Sequence, residues 1–261
     1  MAGLLQITQE PHGILRVTLN DQARRNALSE AMLDYLSNAL QIATDDASVR
    51  VIILAANGTA FCAGHDLKEL TAGRANDDKG KAYFAMVMKR CSSLMQAIMQ
   101  TPKPVIAEVA ATATAAGCQL VASCDLAYAA STAKFITPGV NIGLFCSTPM
   151  VALSRNVPAK HAMEMLLTGE MVTAERAAEI GLVNTVIDKA NLREHVTSVA
   201  KKITSKSPVT LAMGKAAFYA QRELSIADAY DYAAKVMVEN MLHGDAAEGI
   251  SAFIEKRDPK W

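Results

Sequence analysis

Short apolar blocks alternate with longer amphipathic runs along the first two thirds of this chain. Residues 14–19 (ILRVTL) and 51–55 (VIILA) are rich in β-branched side chains, the pattern of strands buried inside a sheet. Between them Leu28, Met32, Leu36 and Leu40 recur at four-residue spacing, which predicts an amphipathic helix. A second helix is predicted where Phe84, Val87, Met88, Cys91, Leu94, Met95 and Ile98 share one face. It must end before Pro102 and Pro104, because proline has no N–H to donate and clashes with the preceding turn. Residues 105–109 then read as the next strand, and 125–129 and 183–187 as further short ones. Beyond Lys189 nearly every segment has helical spacing. The order implies an α/β core over residues 1–189 followed by a helical C-terminal part, 190–261.

Composition narrows the function classes. With 261 residues, 51% of them hydrophobic and 20% charged, the chain can bury a full core, which excludes a disordered segment. Its 26 basic residues balance 26 acidic ones, and no basic run is interleaved with aromatics. Neither nucleic acid nor an anionic membrane surface is expected as partner. The five cysteines, Cys62, Cys91, Cys118, Cys124 and Cys146, are odd in number, widely spaced and without a CxxC pair. They are expected to be reduced and mostly buried, with no disulfide framework and no metal site. The start, MAGLLQITQE, has neither the basic and apolar stretches of a signal peptide nor an arginine suggesting an organellar leader. A cytoplasmic location is expected, or an organelle matrix if a leader has been removed. The uncharged stretch 135–154 is broken by Pro138, Gly139, Asn141, Gly143 and Pro149, which does not suit a membrane span. The dinucleotide pattern GxGxxG does not occur, so no nicotinamide or flavin is implied.

Two segments carry candidate chemistry. FCAGHDLKEL (61–70) and VIAEVAATATAAGCQL (105–120) each set a small-residue turn between an apolar strand and a helix. Such a turn can leave a backbone N–H free, and two of them aimed at one ligand oxygen make an oxyanion hole. In the first segment Gly64 permits a tight turn, Asp66 can cap the helix, and Glu69 can reach back to complete a capping box. The same features describe an ordinary helix start. In the second, Ala115, Ala116 and Gly117 let the backbone approach a ligand, while the helix they open presents unpaired N–H groups. Small residues there also suit close helix packing. His12, His161, His195 and His243 sit in segments with no partner pattern and receive no role.

Taken together the two segments resemble the enoyl-CoA hydratase/isomerase, or crotonase, family. The resemblance extends along nearly the whole chain, through NDQARRNAL from Asn20, similar to the family's NRPxxxNAL, and KPVIAEVAATATAAGCQL from Lys103. It continues in CDLAYAASTAKF from Cys124, MEMLLTGEMVTAERAAEIGLVNTV from Met163 and EGISAFIEKR from Glu248. It implies a crotonase-like spiral of β-β-α units, a C-terminal part that serves trimerisation, and a homotrimer or hexamer. The implied partner is an acyl-CoA thioester, with no cofactor beyond its CoA moiety. By position, the backbone N–H groups of His65 and Ala116 would stabilise the enolate-like thioester oxygen; the family most often has glycine where this chain has Ala116. Arg24, Ala63, Gly64 and Lys68 would lie along CoA. Phe253 and Lys256 match CoA-contacting positions commonly supplied by a neighbouring subunit.

The departure lies in the acid–base groups. Hydratases of the family hold a water and move its protons with two glutamates, and those positions here are Gln119 and Gly139. An amide can orient water but cannot accept and return a proton, and glycine has no side chain. Each lost group removes on the order of 10² to 10⁴ in rate. The expected protein is therefore a hydratase/isomerase-like acyl-CoA enzyme for which efficient hydration by the usual route is not expected. Polar candidates near the motifs are Asn141, Cys146, Ser147, Glu108 and the His65 side chain. Cys146 and Ser147 can line an acyl pocket, but no histidine stands at a spacing that marks it as their activating base. Glu108 lies in a strand pattern and can pair internally. Thioester hydrolysis or decarboxylation on the same oxyanion hole is one alternative. A non-catalytic acyl-CoA-binding regulatory protein is the other.

Overall fold

The structure, a computed structural model, describes residues 3–261. Its elements in chain order are β1 (Leu5–Glu10), β2 (Ile14–Leu19), α1 (Glu30–Asp45), β3 (Val51–Ala56), β4 (Ala60–Cys62), α2 (Leu67–Gly73) and α3 (Lys81–Gln100). There follow β5 (Val105–Val109), β6 (Thr112–Thr114), α4 (Ala116–Ser123), β7 (Leu126–Ala130), β8 (Lys134–Ile136), α5 (Ser147–Asn156) and α6 (Ala159–Thr168). The chain closes with β9 (Val172–Thr173), α7 (Ala174–Glu179), β10 (Thr185–Ile187), α8 (Leu192–Thr204), α9 (Pro208–Gln221), α10 (Ile226–Leu242) and α11 (Gly244–Glu255).

Two sheets run through the core. The larger has the order β1-β2-β3-β5-β7-β10 and the smaller β4-β6-β8-β9. Pairing is parallel except for β1 with β2 and β8 with β9. The chain thus passes from a strand of the large sheet to one of the small sheet and on into helix, three times in succession. This is the expected spiral of β-β-α units. Strands β3 and β5 are buried almost throughout, as parallel strands covered on both faces must be. Inside β5, Glu108 is held by Arg16, whose Nη1 donates to its carboxylate at 2.6 Å, while Arg16 Nε reaches Glu10 at 2.7 Å. A buried guanidinium needs such partners to offset its desolvation. Glu108 is consequently a structural residue and leaves the set of site candidates.

Helix α1 corrects one expectation. Leu28 does not belong to it, because Ser29 caps the helix, its Oγ accepting from the N–H of Met32 at 3.2 Å. Leu28 instead pairs as a bridge with His65. At the other end of the chain, α8 packs across β2, β3, β5 and β7 and buries Leu192, Val196 and Ala200. Helices α9 to α11 bury far less. Helix α9 is tied down by Lys215, whose Nζ donates to the carbonyls of Ile98 and Lys103 at 2.9 Å and to Asp125 at 2.7 Å. Among the described residues no helix is long and apolar enough to cross a membrane.

Candidate functional site

The first turn is shaped by its neighbours. After β4, Gly64 takes a left-handed φ of 83°, a conformation that costs a side-chain-bearing residue. The N–H of Leu28 donates to the Gly64 carbonyl at 2.7 Å and that of Ala63 to the Arg25 carbonyl at 3.1 Å. The turn that leads to Leu28, with left-handed φ at Arg25 and Asn26, is held by the Asn26 side chain, which is fully buried. Its side-chain oxygen accepts from the N–H of Asp21 at 2.8 Å, and its nitrogen donates to the carbonyls of Asn57 at 2.9 Å and Ala60 at 2.8 Å. Asn26 stands within the NDQARRNAL segment, where no local pattern marks it for this role. Asp66 caps α2, accepting from the N–H groups of Lys68 and Glu69. The expected capping box is not formed, because the Glu69 carboxylate accepts from the N–H of Glu30 at 2.9 Å. That open donor at the start of α1 takes the carboxylate away from its own helix.

The second turn is tighter. Ala115 sits at φ 50°, ψ −113°, a strained conformation for any residue with a Cβ. Its own N–H is anchored on the Ile136 carbonyl at 2.8 Å. Two glycines let the turns meet. A Cβ on Gly64 would lie 3.3 Å from the Ala116 nitrogen, and one on Gly117 would lie 2.2 Å from the Cys62 carbonyl oxygen. The N–H groups of His65 and Ala116 donate to no protein acceptor among the described residues.

Both turns line one cavity of about 820 Å³, with Ala63, His65, Ala115 and Ala116 at its floor and Leu70, Phe84, Met88 and residues 142–149 around it. Its polar side chains are those of His65, Thr71, Arg74, Thr114, Cys146, Ser147 and Thr148, and no carboxylate is among them. The exposed Arg74, stacked 5.4 Å from the Phe84 ring centroid, is a cation on this cavity that no local sequence pattern marks. Both ring nitrogens of His65 are buried without partners. Burial holds the imidazole below its usual pKa, while the nearby Leu28 carbonyl pulls the other way without reaching hydrogen-bond geometry. All five cysteines are buried and unpaired. Burial pushes the Cys62 and Cys118 thiols up to about 12 and raises Cys146 too, the Gly139 backbone opposing that last shift. Such thiols are not nucleophiles at neutral pH.

The remaining expected residues divide. Asn141 is exposed, donates to the Gly169 carbonyl at 3.5 Å, and does not line the cavity, which corrects its reading as a pocket group. Arg24 is half exposed with Asp21, Asp66 and Glu69 within 3.5–3.8 Å. Lys68 is exposed, and Phe253 and Lys256 on and after α11 are exposed as well. None of these four lines the cavity of the chain. Gln119 is buried and lines a second cavity, of about 620 Å³, between α3, α4, α5 and α9. Gly139 is crowded: a Cβ there would come 2.7 Å from the Leu144 carbonyl oxygen and 2.9 Å from Cys146 Sγ.

A spiral of β-β-α units that brings two strand-to-helix turns together over one cavity defines a protein of the crotonase fold. The chain belongs to the enoyl-CoA hydratase/isomerase family, whose family model matches residues 9–261. It is 48% identical to the mitochondrial enoyl-CoA hydratase domain-containing protein 3 of Xenopus laevis, over 98% of this chain and 86% of that protein. It is 35% identical to a probable enoyl-CoA hydratase of Bacillus subtilis, over 90% of each. Among solved structures, an enoyl-CoA hydratase of Mycobacterium smegmatis superposes with a TM-score of 0.95 at 49% identity, covering 99% of both chains. The human enoyl coenzyme A hydratase domain-containing protein 3 gives 0.94 at 45% identity, covering 99% of this chain and 100% of that one.

Proposed function

We propose that this protein binds an acyl-CoA thioester in the first cavity and stabilises its enolate-like oxygen with the N–H groups of His65 and Ala116. The observation that carries the reading is the abutment of the two turns, with the Cβ direction of Gly64 ending 3.3 Å from the Ala116 nitrogen. Two unspent donors so close can serve one oxygen, and the N-terminal end of α4 adds its positive potential. Arg24, Lys68 and, from a neighbouring subunit, Phe253 and Lys256 would meet the CoA moiety, the only cofactor required. Ala63 and Gly64 would let it lie close to the backbone, and Cys146 and Ser147 would line the acyl side. The apolar faces of α9 to α11, with Ile226, Leu242 and Ile254 exposed, suit assembly into a homotrimer or hexamer. Relatives described as mitochondrial favour an organelle matrix over the cytoplasm.

The chemistry is hydratase- or isomerase-like only in its oxyanion half. With Gln119 and Gly139 at the glutamate positions and no carboxylate on the cavity, hydration should be slower than in a two-glutamate enzyme by on the order of 10² to 10⁴ per missing group. That same lack of a carboxylate favours a second reading, other thioester chemistry such as hydrolysis or decarboxylation, or binding without turnover.

Calorimetry with butyryl-CoA and the rate of crotonyl-CoA hydration test both halves. Measurable binding with very slow hydration, increased by Gln119→Glu, is expected. No binding overturns the thioester reading, and fast hydration by the native chain overturns the assignment of the missing glutamates. Gly139→Glu is a poor companion variant, because its Cβ would meet the Leu144 backbone.

A further inference from the structure

Arg74 is the cation on the first cavity, and the proposed reaction leaves it unused. The face of α2 that lines this cavity is made of Leu67, Leu70 and Thr71, with Arg74 next in the same stripe, at the three- and four-residue spacing that puts side chains on one side of a helix. Arg74 follows the last residue of α2, whereas His65 stands just ahead of the Asp66 cap. The cavity therefore runs along the length of α2, from the proposed oxyanion donor at one end to a guanidinium at the other. For a helix of 7 residues that length is about 10 Å. Arg24, beside Asp66, and Lys68 belong to the first end and stand outside the cavity.

Nearby arginines are already neutralised. Arg24 has Asp21, Asp66 and Glu69 beside it, and Arg90 on α3 has Glu30 and Asp34. The Arg74 side chain makes neither an ion pair nor a hydrogen bond to any described residue. What holds it is the Phe84 ring, whose centroid lies 5.4 Å from Arg74 Cζ and which lines the cavity as well. Stacking occupies the face of a guanidinium and leaves the N–H donors in its plane free. No carboxylate lines the cavity to compete for them. The unspent N–H groups of His65 and Ala116 and the N-terminal end of α4 add potential of the same sign, so an anion entering this space meets attraction throughout.

The planar fork of N–H donors matches a carboxylate, which it can hold by two parallel hydrogen bonds. The arginine stem covers part of the span along α2, and an extended chain advances roughly 1.2 Å per bond, so an acyl group of about four or five carbons brings its far end to the guanidinium. We propose that Arg74 is a specificity-determining residue that selects acyl groups ending in a carboxylate, the monothioesters of short dicarboxylic acids, over plain hydrocarbon chains. This rests on the thioester-binding reading and adds to it what the far end of the acyl group must carry.

The test is calorimetric titration of the full chain with succinyl-CoA and glutaryl-CoA beside their neutral isosteres, 4-methylpentanoyl-CoA and 5-methylhexanoyl-CoA, repeated with Arg74→Met. Arg74 is exposed, so the variant should fold as the native chain does, with the same urea midpoint. The native protein should bind at least one of the two anionic esters roughly ten-fold tighter than its isostere, and the difference should shrink in 0.5 M salt. Arg74→Met should bind the anionic ester no tighter than the neutral one. Neutral esters bound as tightly as anionic ones by the native protein, or a preference that survives Arg74→Met, overturn the proposal. A loss in Arg74→Met that falls equally on anionic and neutral esters places the guanidinium on the CoA phosphates and overturns it too. If none of the four esters binds, the thioester reading falls and this inference with it.

Discussion

The floor of the first cavity, made by His65 and Ala116, and its wall from Gly139 to Ser147 differ in what would carry the proposed chemistry. In the proposed reading the floor would work through backbone N–H groups, and its side chains would matter only insofar as they allow two turns to touch. Alanines stand at 115 and 116, and the path of the chain is still kept by Gly64 and Gly117. At the wall, function would rest on a carboxylate side chain, and a single change removes it. There the Leu144 carbonyl and Cys146 Sγ occupy the room a side chain at 139 would need. Chemistry written in the backbone tolerates substitution that chemistry written in side chains does not.

The sharpest way to break the contrast is to make the floor depend on a side chain. Gly117→Ala puts a methyl group 2.2 Å from the Cys62 carbonyl oxygen, where neither backbone can yield cheaply. A loss of about 3 kcal/mol in unfolding free energy is expected, read as a lower urea midpoint with unchanged slope. A loss below about 1 kcal/mol would mean that the two turns are not rigidly packed. Ala115→Gly should act in the opposite direction. Relief of the conformation at φ 50°, less the added chain entropy of glycine, should raise stability by about 1 kcal/mol. No gain would show that the turn is strained by its contacts and not by its Cβ.

The smallest effect concerns the His65 ring. Its pKa is lowered by burial from 6.5, so the unfolded chain takes up a proton before the folded one does. Stability from this group is complete above about pH 6.5 and declines as pH falls toward the lower folded value. The urea midpoint should therefore drop from pH 7.5 to 5.5 by more in the native chain than in His65→Phe. Equal slopes in the two would place the ring in contact with solvent.

The strands 14–19, 51–55 and 105–109 were legible because each is buried on both faces and so forms a largely apolar run, broken only by Arg16, Thr18 and Glu108. Strands β4, β6, β8 and β9, of two or three residues, were not, since so short a segment has no period to detect. Leu28 fitted the helical spacing because it is buried just ahead of the cap, where helix and bridge make the same demand for an apolar residue. Glu69 has two N–H groups within reach, and only the fold decides that the one on Glu30 takes it. The two strand-to-helix turns could be read because their small residues are contiguous. Arg74, which reaches the cavity from the end of α2, and the loop that fills the space beside Gly139 depend on contacts between distant segments and left no local mark.

Asn26 ties the turn at Asp21, the loop at Asn57 and strand β4 through one amide, and the bridge from Leu28 passes that constraint to Gly64. The His65 N–H therefore inherits its direction from a side chain that is wholly buried and does not line the cavity. Little reorganisation energy remains to be spent when a ligand oxygen arrives. Association should then be governed by diffusion into the cavity, with no slower phase from a floor that orders itself after contact.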